Sequence, residues 1–379
     1  MDEKSLLDRW KHRWNGLRKG KFHSRAVLHG GDQSMIKSKD PRFYRSAIAA
    51  LVTLAVMGLF SIWPGAVEWL YLRSLFQVWR VAYDYTLGAL PIPSGVWLML
   101  FGIWGIGRCV KQRSWSWRGL FQLLLWLFSS FFWLWGFLYF MPSKKPDVDV
   151  HWSSIEVYNW LMEVQTDLET HLAHAEIAMT ESEVRERLEH FLAQTQWPTA
   201  GRVRARAWCE GGITRYLGVS GIYLPWSMEG HLSETLPVEV LPFVQAHEMA
   251  HGYGIAREGE ADYHAYKALT TPLGVETDAA AHWKAQYELW CALRRMLLQL
   301  DQAAFERSRQ QCSSELTLRH QKVKSNFAVY TGQMAQLGSK SNAIYLKTMG
   351  MQDGLANYDR WLVWLWIEGM NARSQANRF

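Results

Sequence analysis

The sequence predicts a mainly helical protein with a small β-sheet, attached to a membrane by N-terminal helices. Three stretches without charged side chains lie between residues 46 and 143. Apolar residues then recur at helical spacing through most of residues 146–379. A short region at 202–226 contains two candidate strands separated by glycines. A chain of 379 residues with 22 tryptophans has ample material for a buried core, so disordered and disulfide-stapled classes are excluded.

The N-terminal arm, residues 1–45, carries the positive charge of the protein. It holds 12 Lys/Arg against 5 Asp/Glu, whereas the chain as a whole has a net charge of +6. A nucleic-acid-binding protein would spread basic residues over a folded face, but these precede an apolar run. We therefore expect no nucleic-acid partner and a cytoplasmic arm beside a lipid bilayer.

Three transmembrane helices are predicted at about 46–67, 85–107 and 119–143, because each stretch is long enough to cross a bilayer. The third is the most apolar. The second contains Pro91 and Pro93, so a buried helix of a soluble domain is its alternative.

The loops predict the orientation of these helices. Residues 108–118 contain four basic side chains, whereas residues 68–84 balance two basic residues with two acidic ones. Basic loops favour the cytoplasm, so residues 146–379 are expected to form an extracytoplasmic domain of an inner-membrane protein. Residues 68–84 are predicted to form either an interfacial helix on the outer leaflet or a simple connection between two spans.

The outer domain is expected to begin with helices at 153–175 and 181–194, the second starting at a capping box of Thr180 and Glu183. Candidate strands follow at 202–208 and 221–226. Apolar periodicity then predicts helices at 239–253, 258–270, 276–300, 301–312, 317–336 and 354–369.

Four cysteines provide little information. Cys109 falls at the cytoplasmic end of the second predicted span, while Cys209, Cys291 and Cys312 lie in the outer domain. An odd number outside allows at most one disulfide, and buried thiols are the simplest interpretation.

Residues 247–251, His-Glu-Met-Ala-His, match the H-E-x-x-H pattern. Residues four apart share one face of a helix, so His247 and His251 can bind one zinc ion. Glu248 can then act as general base for the zinc-bound water. Two unrelated histidines on a polar helix surface are the alternative.

A catalytic zinc takes three protein ligands and keeps one position open. Glu258 is the best third candidate, because Gly252 and Gly254 can end the first helix and turn the chain back. Asp262, one helical turn further, could then accept the outer N–H of a ligating histidine. Glu260 is the competing ligand. The alternative to a metal-binding role is that these acidic residues only stabilise the N-terminus of a helix through its dipole. Arg257 occupies the position where a metzincin has its third histidine, which disfavours that class.

The run GIYLPWSMEGHLSETLPVEVLPFVQAHEMAHGYGIAREGEADYHAYKAL resembles a bacterial family of membrane-anchored H-E-x-x-H proteins of unknown function that is similar to gluzincin metallopeptidases. YLKTMGMQDGLANYDRWLVWLWI resembles its C-terminal signature, and the likeness covers about residues 46–370. The resemblance implies a zincin-like domain with zinc on His247, His251 and Glu258 and with Glu248 catalytic. The family usually reads closer to R-E-D-E-A-N where this chain has Gly259 and Asp262, which leaves Glu258 in place.

Further site candidates follow from the same segments. The strand at 221–226 could hold an extended peptide, and Glu229 either shapes the cleft or is an exposed loop carboxylate. Tyr358 and Arg360 are preferred for stabilising the oxyanion. The other candidates for that role are Tyr253, Tyr263, His264 and Tyr345.

The function expected from these features is a membrane-anchored zinc metallopeptidase that acts on a protein or peptide substrate outside the bilayer. The alternative is a non-enzymatic binding or envelope-assembly protein. Its site would hold a structural zinc or would be a former peptidase site without activity. A hydrolase of cell-wall peptides would use the same zinc chemistry and remains open.

Overall fold

The structure, a computed structural model, describes residues 41–112, 116–148, 150–208, 218–328, 333–349 and 360–376. The described residues are mainly helical and contain one three-stranded sheet, as the sequence predicts. The predicted basic arm lies outside the described residues up to residue 40. The α-helices are α1 (Pro41–Ile62), α2 (Gln77–Asp84), α3 (Ser94–Gln112), α4 (Trp117–Leu134), α5 (Ser154–Thr170), α6 (Glu181–Gln194), α7 (Leu241–Gly252), α8 (Glu258–Thr270), α9 (Asp278–Leu300), α10 (Gln302–Gln310), α11 (Ser314–Ala328), α12 (Gln333–Thr348) and α13 (Arg360–Ala376).

Helix α1 is the one helix within the described ranges that is both long and apolar enough to cross a bilayer. It covers Pro41–Ile62 instead of the predicted 46–67, and the other two predicted spans also have different boundaries. Helix α3 begins at Ser94, nine residues later than predicted at Tyr85, because Pro91 and Pro93 lack the N–H groups that a helix needs. Helix α4 ends at Leu134.

A tight 3-10 turn, Gly136–Phe140, replaces the last part of the third predicted span. Its side chains are buried in the protein core instead of continuing the helix. Glycine is needed at 136 because a Cβ atom there would lie 2.6 Å from Cε1 of Phe131. The turn directs Trp135 and Tyr139 toward the rest of the domain.

The segment between α1 and α3 is helical, consisting of a π-helix (Val67–Phe76) followed by α2. One face packs into the core. At its end Arg80 and Asp84 form a buried ion pair with an Nε–Oδ2 distance of 2.8 Å. Arg80 also donates to the carbonyl of Met228, and Asp84 accepts the backbone N–H of Arg202 at 2.8 Å. These bonds join the segment to the outer domain.

The sheet has the order β1-β3-β2, with β1 Ala205–Trp208, β2 Gly221–Leu224 and β3 Glu229–Ser233. Strand β3 pairs parallel with β1 and antiparallel with β2, which places β2 at the edge. The first two strands match the sequence prediction, whereas β3 was not predicted. Its five residues, Glu-Gly-His-Leu-Ser, are all buried and lack the alternation of a half-exposed strand.

Most of the remaining helices overlap the predicted ones, but α5 ends at Thr170 instead of 175 and residues 337–348 of α12 were not predicted to be helical. Helix α6 has the predicted bounds and both hydrogen bonds of the Thr180–Glu183 capping box. The predicted helix at 317–336 corresponds to α11 and the start of α12, and residues 329–332 between them lie outside the described part. Helix α13 begins at Arg360, and residues 354–359 of its predicted range are likewise not described.

We expect the replacement Asp84→Ala to destabilise the protein by about 3–5 kcal/mol, because it leaves the buried guanidinium of Arg80 without its carboxylate. Thermal unfolding of the purified protein in detergent measures the loss. Glu306→Ala is the matched control: it removes the exposed Arg309–Glu306 pair and should cost less than about 1 kcal/mol. Equal effects of the two substitutions would show that the buried pair does not join the segment to the domain.

Candidate metal centre

Helix α7 carries the H-E-x-x-H residues and is buried nearly throughout its length. Pro242 lies in its first turn, where proline fits a helix without losing a hydrogen bond. Ala246, Met249 and Ala250 pack into the core. The first and fifth residues of the motif, His247 and His251, therefore extend side by side from a rigid helix.

A glycine turn reverses the chain after α7. Gly254 has a φ of +91°, a conformation that L side chains rarely adopt, and a Cβ atom there would lie 2.5 Å from Leu72. The Ile255 N–H donates to the carbonyl of Ala250 at 3.1 Å and closes the turn. Helix α8 then begins at Glu258, beside the end of α7.

The structure brings His247, His251 and Glu258 together in one cluster that could hold a metal ion. The two Nε2 atoms are 3.1 Å apart, and Oε2 of Glu258 lies 3.2 Å from His247 Nε2 and 3.3 Å from His251 Nε2. Ligands about 2.0–2.1 Å from a tetrahedral zinc lie about 3.3–3.4 Å from one another. The three atoms thus form a triangle of the size that zinc requires.

The outer nitrogen of each imidazole is tied to an acceptor. His247 Nδ1 lies 2.7 Å from Oδ1 of Asp262, and His251 Nδ1 lies 2.7 Å from the carbonyl oxygen of Ile255. Since both partners accept, each Nδ1 atom carries a proton and donates it, which turns both Nε2 atoms toward Glu258. The hydrogen bond to Asp262 is the one that the spacing of Glu258 and Asp262 predicts.

The cluster favours a positive charge. Burial alone would lower the pKa of His247, but Asp262 and Glu258 raise it well above its usual value. Burial alone would raise the pKa of Glu258, but the two imidazoles hold that pKa below its usual range, so this residue is a carboxylate. A proton on an imidazole or a metal ion between the three atoms supplies the positive charge that stabilises them. The donor set thus fits a metal ion.

Glu260, the competing ligand, points away from the cluster. Its carboxylate accepts a hydrogen bond from Ser143 and lies 3.9 Å from Nε of Arg257. Because it is the second residue after Glu258, it occupies a different face of α8. Of the two acidic candidates, the structure places Glu258 beside the histidines.

Glu248 lies against the sheet beside this cluster. Glycines on the two neighbouring strands leave room for it: a Cβ atom at Gly221 would lie 2.7 Å from Oε1 of Glu248, and one at Gly230 would lie 2.6 Å from its Cβ atom. Its Oε2 atom is buried and has no hydrogen-bond partner among the described residues. Burial raises the pKa of this carboxyl to about 6.

Two cavities meet at Glu248 and His247. The first has a volume of about 700 Å³ and reaches the aromatic residues after α4, and the second has a volume of about 530 Å³ and reaches α9 and α11. Gly221 of the edge strand β2 also lines both. The candidate metal ligands are therefore open to a molecule that enters along the edge of the sheet.

Several predicted site residues lie away from the cavities. Glu229 is not an exposed loop carboxylate: it is buried in β3, where it pairs with Arg206 and accepts the backbone N–H of Ser94 at 3.0 Å. Arg360 pairs with Asp147. Tyr253 donates to Glu189, Tyr263 donates to Glu368, and His264 contacts the Glu260 carbonyl. Tyr358 and the side chain of Tyr345 lie outside the described part.

Sequence reasoning missed the polar residues that line the second cavity, because α9 and α11 come from a part of the chain well beyond the H-E-x-x-H motif. Tyr287 and His320 are hydrogen-bonded at 2.9 Å, beside Arg295 and Lys324. Cys291 is there as well, but burial raises its pKa to about 12, so its free thiol is not a nucleophile.

A protein-family model matches residues 71–366, and that family is described as "Protein of unknown function (DUF3810)". The chain belongs to the DUF3810 family. The match includes the whole metal-site region and the apolar helices α3 and α4. No curated protein and no solved structure matches the chain.

Metal analysis of purified variants tests this centre. We expect about one metal ion per chain in the wild type and loss of that ion in Glu258→Gln, because the variant replaces a carboxylate ligand with a neutral amide. Glu260→Gln is the matched control and should retain the ion, since Glu260 faces Ser143. The reverse result would move the third ligand to Glu260. Inductively coupled plasma mass spectrometry gives the metal content.

Proposed function

We propose that this protein is a membrane-anchored, zinc-dependent metallopeptidase. The observation that carries the proposal is the cluster of His247 Nε2, His251 Nε2 and Glu258 Oε2, which lies beside a buried carboxylate with an unpartnered oxygen in an open cleft. Three protein ligands with access for a further molecule are typical of catalytic zinc sites, whereas structural sites close all four positions with protein side chains.

Two imidazoles and one carboxylate can bind zinc or non-haem iron, and the H-E-x-x-H spacing of the histidines on one helix favours zinc. When bound at such a site, zinc acidifies water and polarises the carbonyl group of a substrate. The same donor set appears in the gluzincin-like pattern of the sequence, so a zincin-like fold is part of the proposal.

Glu248 is the proposed general base. It lies one residue after His247 on α7, so its position relative to the ligands is fixed by the helix and by the glycines of β2 and β3. A carboxyl group with a pKa raised by burial holds a proton more readily than an exposed one. Oε2 can therefore take a proton from the attacking water and pass it to the leaving amine.

Strand β2 offers a place for the substrate backbone. It pairs with β3 along one edge only, and residues 221–226 line the larger cavity. An extended peptide can add to such an edge by main-chain hydrogen bonds, which bind peptides with little regard to their side chains. This geometry favours a peptide as the substrate.

We propose that α3 and α4 cross the membrane as well, although α1 alone among the described helices combines the usual length and mean hydropathy of a span. Helices α3 and α4 have 19 and 18 residues, which is close to the thickness of the hydrocarbon core. Each exposes large apolar side chains that water would not favour. Among these are Leu100, Phe101, Ile103 and Trp104 on α3, and Phe121, Leu123, Leu124 and Trp126 on α4.

Both helices are attached to the outer domain at one end. Ser94, the first residue of α3, bonds to Glu229 of the sheet, and Ser130 near the end of α4 accepts from Trp226. The basic residues Arg108, Lys111 and Arg118 lie near their opposite ends. The pair thus has the form of a transmembrane hairpin whose basic tip is cytoplasmic and whose base is at the outer domain.

Replacement of Glu248 tests the proposed activity. Glu248→Gln preserves the shape of the side chain but cannot accept a proton, so hydrolysis of casein or a peptide library should fall by about 10²–10⁴-fold while the metal is retained. Glu260→Gln provides the control for a buried carboxylate outside the cleft. Cleavage by Glu248→Gln at the wild-type rate would contradict the proposal and favour a binding protein with a structural metal.

Reporter fusions test the topology. A reporter that is active only in the periplasm should be active when fused after Phe379 and silent when inserted after Gln112, because the proposed hairpin places these positions on opposite sides of the membrane. A cytoplasm-dependent reporter should give the opposite pattern. Identical behaviour at the two positions would show that α3 and α4 do not cross the bilayer.

A further inference from the structure

The larger cavity is walled by aromatic residues that belong to the apolar hairpin as much as to the outer domain. Phe131 is in α4, and its ring centroid lies 6.1 Å from that of Trp226 and 6.3 Å from that of Trp135. The Trp135 ring lies 5.8 Å from the imidazole of His251. A continuous row of rings therefore leads from the surface of α4 to a candidate metal ligand.

This row joins the lipid-exposed face of the proposed hairpin. Leu127 lies one helical turn before Phe131 on α4 and is exposed, as are Leu123 and Leu124 before it. The exposed apolar face of α4 thus continues into the aromatic wall of the larger cavity. The hydrogen bond from Trp226 Nε1 to Ser130 Oγ, at 2.9 Å, holds the two sides of this wall together.

The smaller cavity is the more polar of the two. Arg295, His320, Lys324 and Glu288 line it, beside apolar side chains such as Phe243 and Phe327. These side chains suit a hydrated polypeptide segment with polar groups. The two cavities share Gly221, His247 and Glu248, so the reacting bond would lie at the boundary between an apolar and a polar environment.

We propose that the substrate is a membrane-anchored polypeptide that is cleaved where its chain leaves the bilayer, with its apolar residues in the larger cavity and its polar residues in the smaller one. The proposal rests on the peptidase activity proposed above and names its substrate class. The edge strand β2 favours a polypeptide over a lipid chain, because only a polypeptide can pair with its main-chain groups.

Matched peptides provide the test, with the full-length protein in lipid nanodiscs. One fluorogenic peptide is polar throughout, a second has an apolar half followed by a polar half, and a third has the same halves in reverse order. One of the two mixed peptides should be cleaved at its junction with a kcat/KM at least about tenfold above the polar peptide, since burial of one large apolar side chain accounts for such a factor.

A variant locates the preference in the cavity. Trp226→Ala opens the aromatic wall and should lower kcat/KM for the preferred mixed peptide several-fold more than for the polar peptide, mainly through KM. Trp97→Ala is the matched control: Trp97 is 36% exposed against 38% for Trp226 but lies outside the cavity, and its loss should change neither value. Metal content checks that both variants remain folded.

Binding to Glu248→Gln separates this proposal from the peptidase activity itself. Fluorescence anisotropy should show that the preferred mixed peptide binds at least about tenfold more tightly than the polar one. Equal binding or equal cleavage of the two peptides would overturn the proposed substrate class. Tight binding of an acylated polar peptide but not of either mixed peptide would replace the polypeptide with a lipid chain. If the mixed peptide binds more tightly but the wild type cleaves no peptide, the proposed peptidase activity is wrong. The preference of the cavity for such a peptide would still be confirmed.

Discussion

The close approach of three possible metal ligands is the constraint on which the rest of this structure depends. Two imidazole nitrogens and a carboxylate oxygen lie within 3.3 Å of one another in a buried position, an arrangement that needs a positive charge, from a proton or from a metal ion. The surrounding groups hold it in place. Asp262 and the Ile255 carbonyl orient the two rings, and the left-handed turn at Gly254 brings Glu258 back to them.

Tryptophans fix the end of the helix that carries the histidines. Trp135 Nε1 donates to the carbonyl of His251 at 3.3 Å, and Trp197 Nε1 donates to the carbonyl of Tyr253 at 2.8 Å. These carbonyls lie at the end of α7, where the regular backbone hydrogen bonds of a helix stop. Trp135 follows directly after α4, so the candidate metal site is joined to this apolar helix.

Local sequence patterns predicted the parts of this protein that depend on local spacing. Residues four apart on one helix, a capping box and a pair of glycines identified α7, α8 and the turn between them. The same reasoning missed β3 and left Glu229 as either a cleft residue or an exposed loop carboxylate. The burial of that residue depends on Arg206 and Ser94, which are distant along the chain. It also extended the third apolar run through Trp135–Phe140, since hydropathy does not distinguish a membrane span from a buried turn. The walls of both cavities come from such distant contacts and were not visible in the sequence.

The central claim is that two histidines and one carboxylate hold a zinc ion with an open position. X-ray absorption at the zinc edge of the purified, full-length protein tests it most directly, because it reports the metal and its ligands together. We predict zinc with nitrogen and oxygen ligands at about 2.0–2.1 Å, a clear imidazole contribution and no sulfur. A sulfur shell at about 2.3 Å, or a protein without bound zinc after gentle purification, would contradict this account.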